Sequence, residues 1–182
     1  FVCGFQLAFI TVHMPAYLSD NGFDSSVAAA SLSIIGLCNI IGSLAAGHLS
    51  GLYSKKWILA FIYGARSIVI VLFLVIPITT FTVYAFSFAT GLLWLATVPP
   101  TSGLVAQMFG LKYMGTLYGI VFLNHQIGSF SGVWLGGYLF DTTGSYDQVW
   151  WWAAIIAAIT AIIHVFIDER PVERLRLAEK VI

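Results

Sequence analysis

Trp57–Pro77 reads WILAFIYGARSIVIVLFLVIP, and this stretch decides the class of the protein. At 1.5 Å per residue, about 20 mostly apolar helical residues cross the roughly 30 Å hydrocarbon core of a bilayer. Here that length contains one charged side chain, Arg66. The whole chain agrees: of 182 residues, 59% are hydrophobic and 9% charged, against about 25% charged in soluble proteins. A water-soluble globule is excluded. Eight basic and eight acidic residues cancel, so no nucleic-acid partner is expected. Cys3 and Cys38 lie in apolar runs without CxxC or Cys/His spacing. They read as packing residues, and neither a disulfide, a metal nor a cofactor is expected. The chain opens at Phe1 inside an apolar run, without Met or a basic n-region, which reads as a piece of a longer protein rather than a signal peptide.

Outward from Trp57, charge, Gly and Pro divide the chain into six comparable runs near 1–18, 27–49, 57–77, 81–107, 115–139 and 148–167. The expected fold is an all-α integral membrane bundle over 1–167 with a tail over 168–182. Short connectors make consecutive helices antiparallel neighbours. Lys55 and Lys56 fall in the second connector, Lys112 in the fourth, and Arg170, Arg174, Arg176 and Lys180 in the tail. With six crossings all three segments share one side, while the other connectors carry Asp20, Asp24, Asp141 and Asp147. Basic loops stay in the cytoplasm, so the C-terminus is expected there, in a plasma (inner) membrane protein. The tail reads as frayed and solvated, with Pro171 in the first turn of a short helix and Glu173 spaced to pair with Arg176. Tyr53, Trp57, Tyr113, Tyr146 and Trp150–Trp152 stand at span ends, as an interfacial aromatic belt does.

Arg66 lies about 13 to 16 Å from either end of its span, near the midplane, where an ionised group costs at least about 2.5 kcal/mol. No Asp or Glu occurs within the six runs. Its partner is therefore backbone carbonyls, water, a bound anion or a carboxylate from outside this segment. Other polar residues form stripes. Gln6, His13 and Tyr17 share a face of the first helix, and Asn39 and Ser43 one of the second. Ser87, Thr90, Trp94, Thr97 and Thr101 follow steps of three and four on the fourth. Asn124, His125 and Gln126 fan around the fifth, where His125 shares its face with Tyr118 and Ser129. Such stripes line water or another helix, since lipid satisfies no donors. His125, near mid-membrane, has the chemistry to exchange a proton; a neutral imidazole bonded between helices is the alternative. His48 and His164 fall near the cytoplasmic ends. Pro15, and Pro99 with Pro100, free carbonyls one turn earlier and mark hinges in the first and fourth helices. Gly128, Gly132 and Gly136 recur every four residues, a close-packing device.

Gly47-His48-Leu49-Ser50-Gly51-Leu52-Tyr53-Ser54-Lys55-Lys56 resembles the signature that the major facilitator superfamily carries between its second and third, and eighth and ninth, helices. Gly51-Leu52 stands where the family has Asp-Arg. GGYLFDTTGSYD (Gly136 to Asp147) and the opening GFQLAFITVHMPAYL resemble the monocarboxylate-transporter-like branch. The resemblance implies helices seven to twelve, the C-terminal half of a twelve-helix fold with 3+3 inverted repeats. It further implies a cavity lined by the first, second, fourth and fifth spans. The stripes fall on those four spans, whereas Arg66 sits on the third, which such a fold keeps peripheral; pairing toward Asn39 or His125 is one inward option.

The expectation is secondary transport of a small organic solute by alternating access, with a monocarboxylate moving with a proton as the specific form. Its partners are the solute, the proton, the lipid bilayer and a missing N-terminal half. Gln6, His13, Asn39, Thr90, Trp94, Asn124 and His125 are the pathway candidates, and Gly47, Gly51, Lys55 and Lys56 form the loop signature. The alternatives are a six-helix homodimeric carrier or a nontransporting scaffold. An intramembrane enzyme is disfavoured, since Gly128-Ser129-Phe130-Ser131-Gly132 lacks the spacing of a rhomboid-like nucleophile.

Overall fold

The computed structural model describes residues 1–172; Glu173, Arg174, Arg176 and Lys180 lie outside the described residues. Among those described there is no strand. The helices are α1 (Val2–Asp20), α2 (Ser25–Leu52), α3 (Lys55–Val75), α4 (Thr80–Leu93), α5 (Val98–Phe109), α6 (Met114–Thr143) and α7 (Asp147–Val165), with a 3-10 turn at Leu111–Tyr113. By length and composition α1, α2, α3, α7 and Thr80–Phe109, taken through its interruption, suffice to cross a membrane. The 30 residues of α6 are long enough too. Asn124, His125, Gln126 and its many glycines dilute that helix's hydropathy.

Local chemistry sets the helix ends. Asp24 caps α2 by accepting the Ser26 N–H at 2.8 Å. Thr79 and Thr82 cap each other's backbone N–H at the start of α4. Gly144 ends α6 in the left-handed region, φ 71°, which costs a side-chain-bearing residue more.

The main packing pairs are not consecutive helices: α1 lies on α6, α2 on α4 and α3 on α7. This corrects the expectation that short connectors dictate the neighbours. Exchanging the first three spans with the last three maps α1/α6 onto α4/α2 and α3/α7 onto itself, so the pairing has two-fold character. Glycines enable it. A Cβ on Gly128 would stand 2.0 Å from the Phe1 carbonyl oxygen and one on Gly132 2.3 Å from that of Phe5. On the α2–α4 seam, a Cβ on Gly42 would meet the Leu92 oxygen at 1.9 Å.

Two members of the expected aromatic belt are core residues instead. Trp150 is fully buried among Phe9, Tyr17, Phe73 and Phe86, and Tyr146 stacks on Phe140 at 4.4 Å. Successive helical residues turn by about 100°, so Trp151 and Trp152 face outward while Trp150 points in.

The described start of the tail is not frayed. Glu169 accepts the Lys56 N–H at 2.6 Å and the Ser54 hydroxyl at 2.7 Å, and its carbonyl accepts from Gln107. Val172 N–H donates to the Met108 carbonyl. The first N–H groups of α3 have no intrahelical acceptor, and a carboxylate beside them is the natural partner. The second connector, the end of α5 and the tail thus meet at one end of the bundle. Asp20 and Asp147 line a cleft at the other.

Candidate functional site at a broken helix

Residues Trp94–Thr97 are not helical, so Thr80–Phe109 is two helices with a gap. Pro99 and Pro100 occupy the first turn of α5, where a missing N–H costs nothing, but neither can extend the ladder back to α4. The peptide groups of the gap need partners, and two side chains supply them. Asn39 Oδ1 on α2 accepts the Leu95 N–H at 3.0 Å. From α3, Arg66 donates through Nε to the Leu93 carbonyl at 3.1 Å and through Nη2 to the carbonyls of Leu93 and Trp94. Its Nη1 reaches Gln6 Oε1 at 3.4 Å, and Gln6 passes the connection to α7 by donating to Ala153 O at 2.9 Å. The guanidinium also lies over the Tyr63 ring, 5.5 Å from its centroid.

The periodic polar stripe of the fourth span is divided by this gap. Thr90 and Trp94 face a void of about 10 Å³ beside Gln6 and Arg66, room for roughly one water. Thr97 and Thr101 instead line a cavity of about 270 Å³ with Leu95, Cys3, Tyr63, Tyr118 and His125. Three spans of the sequence stripes, α1, α4–α5 and α6, thereby converge on one space, with α3 behind them. Thr97 Oγ1 stands 3.5 Å from Cys3 Sγ, and the Cys3 thiol shares the cavity lining with His125.

Among the candidates, His125 lies in the cavity wall and stacks on Phe122 at 5.5 Å. Thr90, Trp94, Gln6 and Arg66 meet at the void; Asn39 touches the gap from α2. His13 is elsewhere, donating from Nε2 to the Val133 carbonyl at 2.9 Å and packed on Phe9 and Tyr146. Asn124 is exposed on α6 and bonds its own helix at Ile120. Pro15 lies within an α1 that continues to Asp20. Gly47 and Gly51 have no tight neighbours among the described residues. Lys55 bonds Gln107 at 2.7 Å, and Lys56 Nζ bonds the Val165 carbonyl at 3.3 Å, so the loop lysines knit the tail end of the bundle. Arg66 takes carbonyls as partners, with neither Asn39 nor His125 among its hydrogen-bond acceptors.

Sequence reasoning assigned Cys3 to packing alone and did not single out Tyr63. The usable signal was spacing: Cys3 precedes Gln6 by three residues and Tyr63 precedes Arg66 by three, so each shares a face with a residue that was singled out.

Residues 1–181 match the family described as Major Facilitator Superfamily. The chain is 27% identical over 177 residues to an uncharacterized MFS-type transporter, YcxA, of Bacillus subtilis (strain 168), covering 93% of this chain and 43% of that protein. It is 28% identical over 137 residues to monocarboxylate transporter 13 of Rattus norvegicus and 29% identical to that of Bos taurus, in each case 74% of this chain and 32% of the relative. The chain thus spans less than half the length of the curated relatives it matches.

Proposed function

Because this chain belongs to the major facilitator superfamily of membrane transporters, we propose that it is the C-terminal six-helix half of a carrier that moves a small organic solute by alternating access. The observation that carries this reading is the cavity of about 270 Å³: a hydroxyl, a thiol and an imidazole converge on it beside a discontinuous helix. Discontinuous helices are how such carriers build sites at the bilayer midplane. The two-fold packing of α1/α6 and α4/α2 supports two three-helix repeats. The relatives' greater length supports a second half upstream.

The solute we propose is a monocarboxylate moving with a proton, a reading supported by two relatives that carry that name and by His125 in the cavity wall. The lysine-bearing connectors and the start of the tail share one bundle end, which supports a cytoplasmic C-terminus in the plasma (inner) membrane. Uptake of short monocarboxylates into proteoliposomes holding the full-length protein tests both levels. Accumulation driven by an inward proton gradient, lowered by His125→Ala at equal membrane abundance, is the expected result. Uptake indifferent to the gradient removes proton coupling. No uptake of monocarboxylates, with uptake of another solute class, removes the substrate.

A further inference from the structure

Arg66 is a buried cation, 5% exposed, with no carboxylate partner among the described residues. Burying a charge without a counter-ion is tolerated only where fixed dipoles replace it. Its surroundings provide them. The Leu93 and Trp94 carbonyls stand at the C-terminal end of α4, the negative pole of that helix's dipole, and the planar guanidinium bridges both. Gln6 Oε1 meets the remaining edge. Its donors are thus turned toward groups of this chain, and the void beside it admits no organic solute. These are the attributes of a residue that shapes a site rather than one that binds cargo.

Asn39 completes the arrangement from the opposite side. It holds the N–H of Leu95, the residue after the one whose carbonyl Arg66 holds, and is itself held by Ser43 Oγ–H at 3.1 Å. Leu95 and Thr97 belong to the cavity wall. The two side chains therefore grip opposite edges of one peptide group of the gap, Trp94–Leu95, while Arg66 also holds the one before it through the Leu93 carbonyl; the direction of the Thr97 and Thr101 hydroxyls depends on their shape.

We propose that Arg66 and Asn39 are positioning residues that clasp the interruption between α4 and α5 and so set the polar wall of the cavity. Its importance for transport rests on the reading of that cavity as the solute path; the clasp itself does not. Arg66→Lys keeps the charge and loses the planar fork that spans both carbonyls, so it should act between the native protein and Arg66→Gln.

The test is amide hydrogen exchange in the full-length protein, read by mass spectrometry of the peptides covering 93–98, with 155–163 of α7 as the reference. Loss of a charge-assisted hydrogen bond should speed exchange of the gap in Arg66→Gln by about tenfold or more, with Arg66→Lys intermediate and the reference unchanged. Asn39→Ala, which removes the acceptor of the Leu95 N–H, should act in the same direction, and the double variant should fall short of the product of the two single effects, as shared partners require. Native exchange of the gap in both single variants, or gap and reference accelerating alike in Arg66→Gln, would overturn the clasp. Should Arg66→Gln fail to accumulate, the exchange rate in Asn39→Ala decides. The assay uses no solute, so an absence of uptake with the expected exchange pattern rejects the transport reading alone.

Discussion

The Glu169 carboxylate accepts the backbone N–H of Lys56 at 2.6 Å, so a residue beyond the last helix caps the first turn of the third. The same carboxylate takes the Ser54 hydroxyl, joining two segments more than 110 residues apart. Glu169→Ala should lower stability by about 1 kcal/mol, the usual worth of a cap, read as a drop in the thermal midpoint in detergent. Glu169→Gln, which keeps an acceptor but no charge, should lose less. Equal midpoints for all three proteins would show that the contact contributes nothing.

The α1–α6 seam predicts a sharp contrast between two glycines. A methyl group at Gly132 meets the Phe5 carbonyl, whereas one at Gly137 meets nothing within 4 Å among the described residues. Gly132→Ala should cost about 1 to 3 kcal/mol through overpacking and reduce the folded yield in membranes. Gly137→Ala should match the native protein, and comparable yields for both variants would contradict the seam.

Trp150 carries the one buried side-chain polar atom without a partner among the described residues, its indole Nε1. Trp150→Phe removes that donor and some volume, two effects of opposite sign, and should change stability by no more than about 1 kcal/mol. Trp150→Ala should cost about 3 to 5 kcal/mol. Thermal unfolding of the two variants side by side checks the order.

Asp24 supplies a pH dependence of known sign. The Ser26 hydroxyl and the Ser26 backbone N–H, both bonding its carboxylate, hold it below the ordinary value of 3.8. The stabilisation is present above that ordinary value and disappears as pH falls through the lower, folded-state one. Asp24→Ala should therefore be less stable than the native protein at neutral pH, and the gap between their thermal midpoints should close in acid. A gap that widens on acidification would reverse the assignment.

The membrane class and the long apolar helices were legible in the sequence because the transfer of apolar side chains into hydrocarbon is local and sums along the chain. WILAFIYGARSIVIVLFLVIP needs no tertiary partner to declare itself. The interruption near Pro99 and Pro100 was legible for a similar reason, since a missing N–H and a fixed φ act within one turn. So was the isolation of Arg66, a charge in a run without acids. Its partners were not. The Leu93 and Trp94 carbonyls are backbone atoms that any sequence possesses, and they became acceptors only because α3 crosses α4 where the helix breaks. Trp150 could not be told from Trp151 and Trp152 by composition; the direction in which α7 turns on α3 separated them. Cys3 looked like packing until α1, α5 and α6 brought it against Thr97 and His125. The sequence by itself determined that this protein lives in a membrane and where its helices run, but it marked Pro15 and Pro99–Pro100 alike as hinges, and α1 continues through the first of them. Which helices touch, and hence which polar groups share a cavity, was decided by tertiary structure, because those contacts are set by backbone approach across glycines far apart in the chain.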